Sequence, residues 1–250
     1  MSKGEKNLWQ GIREEARSAL GTRDYSAGTF AEQLSGKGVE ARKLVAADRN
    51  DAEVIRAWIP GVEIFARTLY PQRHRGAFGE LARRDEGVLA QIGFWPNQWS
   101  AARMFAFTAK GFHIHPPSIP EGTSAAEWTR RLFIDEQQNY SLRRYAEEQW
   151  DVMFVVQGVA EMILHDLRAG LHARTMRFLI DGDNHRSADN VGVVIPPGVA
   201  HAIRTEGSED LVMIYGTSTA FRPEFEGRIA SDVESAPLPE SWQEFIGRGD

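Results

Sequence analysis

Lys110-Gly111-Phe112-His113-Ile114-His115-Pro116-Pro117 and Val194-Ile195-Pro196-Pro197-Gly198-Val199-Ala200-His201 bracket the part of the chain that decides its fold. Between them lies Trp150-Asp151-Val152-Met153-Phe154-Val155-Val156-Gln157-Gly158, a β-rich run closed by a turn. Residues two apart in a strand lie on one face, so His113 and His115 point the same way. A third histidine, His201, follows a Pro-Gly turn. The spacing predicts a small β-barrel whose interior holds these histidines.

Working outward, the period-two pattern starts after Gly61. Strand-like segments are 62–70, 75–80, 88–95, 104–115, 150–157, 159–166, 174–181, 191–196, 200–205 and 210–216. The turns after 150 are rich in Gly, Asp and Asn: Gly158, Asp181-Gly182-Asp183-Asn184, Pro197-Gly198 and Glu206-Gly207-Ser208. Many short strands with regular turns indicate a sandwich or barrel. Residues 122–149 break the pattern with Trp128, Arg130, Arg131, Tyr140, Arg143, Arg144 and Tyr145. They read as a partly helical insertion that covers the barrel mouth or a dimer contact.

Before the barrel the period is helical. Leu8, Ile12, Ala16 and Leu20 recur at i+4 and Gly21 stops the run. Thr29 to Glu32 has the form of a capping box, and 51–58 is a short helix ended by Pro60-Gly61. The expected organisation is a helical N-terminal extension over 1–58, a barrel over 59–235 with its insertion, and a closing segment over 236–250.

The chain has 250 residues, 42% hydrophobic, with a net charge of −6 and no cysteine. That length supports a large β domain, and the absence of cysteine excludes disulfides and thiolate chemistry. There is no Lys/Arg run that would track nucleic acid. The N-terminus lacks the apolar run of a signal peptide, and no segment approaches the ~20 apolar residues of a membrane span. The expectation is a cytoplasmic protein that binds neither nucleic acid nor membrane. An anionic ligand stays open, because local Arg and Lys can line a pocket.

Two constellations carry chemistry. His113, His115 and His201, with Glu121 as a fourth member, offer three nitrogens and a carboxylate, a donor set for Zn, Fe, Mn or Ni. A His-x-His strand followed by Pro-x-Gly-x-x-His is the cupin metal pattern. Glu121 sits further from the histidines than that pattern places its Glu, beyond Pro116-Pro117-Ser118-Ile119-Pro120. The second constellation is acid–base. His113 could take a proton from carbon next to a carbonyl, and Tyr215, on the face shared with Leu211 and Met213, could return one. Each of these residues also has a plain structural reading, as a hydrogen-bonded barrel histidine or a core tyrosine. Arg75 is placed to grip a phosphate bidentately and Lys110 to act as a point charge. His74, His165, His172 and His185 read as structural or exposed.

The order of these pieces resembles the dTDP-4-dehydrorhamnose 3,5-epimerase family of cupin-type enzymes over residues 59–234. The matching pieces are Ile59-Pro60-Gly61-Val62, Arg75-Gly76-Ala77-Phe78-Gly79-Glu80, Lys110-Gly111-Phe112-His113, Ile195-Pro196-Pro197-Gly198-Val199-Ala200-His201, Met213-Ile214-Tyr215 and Pro223-Glu224-Phe225-Glu226. The resemblance implies a mainly β, cupin-type double-stranded β-helix (jelly-roll barrel) and an isomerase that needs no cofactor. It implies a nucleotide-linked 4-keto-6-deoxy sugar as substrate, His113 as base and Tyr215 as acid. Arg75, Glu80, Lys110 and His201 would be substrate contacts, and the barrels would pair as a homodimer. Three positions depart from the family pattern: Asp151 aligns near a pocket Lys, Gly216 replaces the Lys after the tyrosine, and Phe221 replaces a second Tyr. A metal-dependent cupin isomerase or oxygenase using His113, His115 and His201 stays open beside the epimerase, as does a non-catalytic sugar-binding cupin.

Overall fold

The computed structural model describes residues 39–115, 140–141, 148–166, 174–182, 189–221 and 227–229. The helices expected at 8–20 and 29–34, Glu121, nearly all of the insertion and the closing segment lie outside the described residues. Three short helices are described: α1 (Ala41–Val45), α2 (Ala52–Ala57) and α3 (Val88–Gln91). Asp51 caps α2 as the 51–58 pattern predicts. Its carboxylate accepts from the Glu53 and Val54 amides at 2.7 and 3.3 Å, which satisfies donors that a helix start leaves open.

The strands are β1 (Val39–Glu40), β2 (Glu63–Ala66), β3 (Leu69–Pro71), β4 (Ala77–Gly79), β5 (Gln98–Met104), β6 (Ala109–Ile114), β7 (Tyr140–Ser141), β8 (Asp151–Gln157), β9 (Val159–Asp166), β10 (Thr175–Asp181), β11 (Val191–Ile195), β12 (Val199–Glu206), β13 (Leu211–Thr217) and β14 (Gly227–Ile229). One sheet runs β1-β10-β9-β12-β6-β14-β7, a second runs β2-β11-β8-β13-β5, and β3-β4 is a separate ribbon. All pairings are antiparallel except β1 with β10.

Two faces that alternate apolar residues must be buried together. Met162, Leu164, Met176, Phe178, Ile180 and Ile203 from the first sheet pack with Met153, Val155, Val193, Leu211 and Met213 from the second. The second sheet is covered on its other face too. There Val152, Phe154 and Val194 meet Leu89 and Phe94, with Phe65, Trp95 and Trp150 around them. Burial on both faces explains why β8 reads as a continuous apolar run rather than an alternation. Gly192 is required at this crowded layer, since a Cβ there would run into the rings of Phe65 and Phe154.

Two sequence expectations are corrected. The 88–95 strand is helix α3 followed by a turn. Gly87 and Gly93 both adopt positive φ, at 80° and 70°, and pinch Val88–Gln91 into a single turn. Leu89 and Phe94 drop onto β8 and β11 instead of pairing along a sheet edge. The 104–115 strand is also divided. The chain reverses through 105–108, Phe107 taking φ 61°, and an unforeseen strand, β5, lies on its N-terminal side. The aromatic residues that suggested a continuous strand, Phe105 and Phe107, are exposed at the tip of that reversal.

Candidate active site

Strands from both large sheets meet around a cavity of about 280 Å³. β6 contributes Lys110 and His113, His115 follows directly after it, and β12 contributes His201. From the opposite sheet come Asp151 and Met153 on β8, Met213, Tyr215 and Thr217 on β13, and Gln98 on β5. Gln149 and Phe221 complete the lining.

The placement of Lys110 beside the histidines depends on one extra residue. His201 pairs with His113 and Ile203 with Lys110, so β12 advances two residues while β6 advances three. This is a β-bulge at Gly111-Phe112. Without it, residues 110 and 113 would face opposite ways; with it, both face the cavity. Gly111 has φ 136°, and a Cβ there would lie 2.6 Å from the Ala202 Cβ, 2.7 Å from its Cα and 2.9 Å from the His201 carbonyl oxygen. Only glycine allows β6 to bulge this close to β12.

His201 is the central ring. Its centroid lies 5.8 Å from that of His113 and 5.7 Å from that of His115. His115, His201 and Asp151 are buried. The Asp151 Oδ2 lies 3.3 Å from the His115 Nε2 and 3.7 Å from the His201 Nε2. Its other oxygen accepts from the Gln149 amide at 2.9 Å. Gln149 in turn accepts from the Thr219 hydroxyl at 2.6 Å.

Burial controls the charges here. It pushes the Asp151 carboxyl above the usual carboxylate range, against the opposing pull of His201 and of the Gln149 hydrogen bond. Burial also pushes His201 down to about 4, against Asp151, with His115 and Lys110 adding to the downward push. His201 is therefore a neutral imidazole near pH 7.

The expected residues separate into two groups. His113, His115, His201, Lys110 and Tyr215 come together around the one cavity. Arg75 and Glu80 do not line it. Arg75 is exposed in a 3-10 turn between β3 and β4. Glu80 holds Arg83 at 2.8 Å and lines a separate groove with Arg67, Tyr70 and Val88. His165 is structural as expected, its Nδ1 2.8 Å from the Thr175 hydroxyl.

The expected metal set is rearranged. Among the described residues, the donors whose atoms all lie within 4.8 Å of one another are His115, Asp151 and His201, so His113 is outside the tight group. Sequence reasoning treated Asp151 only as a reversed charge. The available signal was an ionisable residue opening the apolar run Val152 to Val156.

No protein-family model matches the chain. A dTDP sugar isomerase from Desulfovibrio desulfuricans G20, known as a solved structure, superimposes with a TM-score of 0.52 at 14% identity, covering 76% of this chain and 96% of that one. The chain has this isomerase's fold. The jelly-roll barrel expected from the sequence is thus the observed architecture. The RmlC dTDP-6-deoxy-D-glucose-3,5-epimerase of Legionella pneumophila Philadelphia 1 gives a TM-score of 0.47 at 18% identity, over 67% of this chain and 72% of that one. By sequence, the chain is 28% identical over 165 residues to the spore coat polysaccharide biosynthesis protein SpsL of Bacillus subtilis (strain 168), covering 64% of this chain and 83% of the relative. The jelly roll leaves no described helix long and apolar enough to cross a membrane.

Proposed function

We propose that the protein is a carbohydrate epimerase or isomerase that acts on a nucleotide-linked 4-keto-6-deoxy sugar by moving protons at carbon next to a carbonyl. The observation that carries this is the placement of His113 and Tyr215. They line one cavity from opposite sheets, His113 on β6 and Tyr215 on β13. Inversion at a carbon requires removal of a proton from one face and its return to the other, and a base and an acid on facing walls supply that. Lys110, brought to the same cavity by the bulge, offers a positive charge to an enolate oxygen or a phosphate. The likeness to a dTDP sugar isomerase and to a polysaccharide biosynthesis protein supports a sugar substrate. Pairing of two chains as a homodimer belongs to the same proposal, and light scattering on the eluting protein measures it.

The test is solvent exchange. The protein is incubated in heavy water with dTDP-4-keto-6-deoxyglucose, and deuterium at the carbons beside the carbonyl is followed by NMR. Incorporation that disappears in His113→Ala is the expected result. Tight binding with no incorporation would leave a non-catalytic sugar-binding barrel and refute the proposal.

A further inference from the structure

We propose that Asp151 and His115 form a polar brace across the cavity, which sets the spacing between the wall that carries His113 and the wall that carries Tyr215. Asp151 is then a positioning residue, and its bearing on catalysis rests on the isomerase reading.

Asp151 opens β8 in the second sheet, and His115 follows β6 in the first. Asp151 Oδ2 stands 3.3 Å from the His115 Nε2, within reach of a hydrogen bond, whereas the His201 Nε2 at 3.7 Å lies beyond one. Both side chains of the brace are buried, and in a low-dielectric interior such a bond is strengthened and rigidifies what it joins.

Each end is anchored to its own sheet. The His115 carbonyl accepts from the Gly198 amide at 2.8 Å, at the turn that enters β12. On the other side, Asp151 pairs with Thr217 of β13, two residues after Tyr215. The segment before Asp151 is stitched to the chain just past β13. The Ser218 amide donates to the Trp150 carbonyl at 3.0 Å, and the Trp150 amide donates to the Ser218 hydroxyl at 2.9 Å. Thr219 holds Gln149, which holds Asp151 Oδ1. The brace therefore ties the strand of Tyr215 to the strand of His113. The apolar packing beside it is adaptable by comparison: Met153, Met162 and Met213 line the cavity, and unbranched thioether chains accommodate changes in spacing.

Inversion makes that spacing matter. His113 removes a proton, and the electron pair moves onto the carbonyl oxygen. Tyr215 then delivers a proton to the opposite face as the pair returns to carbon. If the two walls drift apart, His113 still removes the proton and hands one back to the same face, which gives exchange without inversion.

The full chain is incubated in heavy water with dTDP-4-keto-6-deoxyglucose, and NMR reads exchange and inversion separately. The ring signals of His113 and Tyr215 are also recorded without substrate, and circular dichroism confirms that each variant is folded. Asp151→Leu, similar in size but without a hydrogen-bonding group, should slow inversion by about 100-fold, as expected for a misplacement of about 1 Å, and exchange by much less. Thr219→Val, outside the cavity, should move the ratio of exchange to inversion in the same direction. Asp151→Asn keeps a hydrogen-bonding group toward His115 and should restore the ratio. Exchange and inversion falling together in Asp151→Leu, or the same ratio in Asp151→Asn as in Asp151→Leu, would overturn the brace. If the wild-type protein neither exchanges nor inverts, the isomerase reading fails and the ring signals alone decide: paired shifts of His113 and Tyr215 in Asp151→Leu sustain the brace, and an unmoved His113 overturns it.

Discussion

Replacing Gly111 by alanine tests whether the bulge in β6 builds the cavity. Two effects add. At φ 136° an L-residue is in a sparsely populated conformation that costs about 1–3 kcal/mol. The new methyl would also stand 2.6 Å from the Ala202 Cβ and 2.7 Å from its Cα, where carbon contacts are optimal near about 3.5–4.0 Å. Backbone atoms on β12 cannot rotate away, so the strands must part by roughly an ångström, an overpacking cost of about 1–3 kcal/mol. The sum is about 2–6 kcal/mol. Gly76 is the internal control: it has φ 111° and nothing within 4 Å of an added Cβ. Gly76→Ala should therefore carry only the backbone cost, about 1–3 kcal/mol.

Urea unfolding of both variants measures the difference. Heavy-water exchange reads the functional side, because a displacement of His113 by about 1 Å is enough to cost about 100-fold in rate. Equal urea midpoints for the two variants, or undiminished exchange in a folded Gly111→Ala, would refute the claim that close approach of β6 to β12 sets the catalytic geometry.

Three further outcomes are expected. His113→Ala and Tyr215→Phe should each slow deuterium incorporation by about 10²–10⁴-fold while leaving thermal unfolding nearly unchanged; normal rates in either would remove that residue from the reaction. Asp51→Ala should lower stability by about 1 kcal/mol through loss of the α2 cap, seen as a shifted urea midpoint with an unchanged slope. His165 is held below its ordinary value by burial, against the nearby Asp166. The folded state thus favours the neutral ring, and the stability this contributes is complete above about pH 6.5 and is lost as pH falls through that value toward the lower folded one. His165→Gln should flatten the acid side of the stability profile in that window, and an identical slope would refute the assignment.

The histidine strand, the Pro-x-Gly-x-x-His turn and the strands after 150 were legible because each depends on local pattern: period two, turn residues and spacing. The elements misread from sequence depend on tertiary partners. Val88 to Trp95 suggested a strand through Val88, Ile92, Phe94 and Trp95, yet Leu89, Ala90 and Gln91 are helix formers, and Gly87, Gly93 and the outer face of β8 make Val88–Gln91 a helical turn. Phe105 and Phe107 suggested a buried strand and mark an exposed reversal. The pocket position of Lys110 needs a bulge that only strand register reveals. Asp151 was visible as an oddity at the head of an apolar strand, but its relation to His115 and His201 joins β8, β12 and the residue after β6, and no spacing along the chain encodes it. Arg75 and Glu80 were grouped with the histidines by motif order, and the fold sends them elsewhere.

β8 belongs to two compartments at once. Asp151 and Met153 face the cavity, while Val152 and Phe154 are gripped by the outer layer of Leu89, Phe94 and Trp150. Such a strand behaves as a shared wall. A substitution in the outer layer that shifts Phe154 also moves Asp151, without touching any residue that lines the cavity. Ligand preference can thus drift through changes on the far side of the wall, and a laboratory selection for altered substrates should recover substitutions around Phe94 and Trp150 alongside those within the cavity itself.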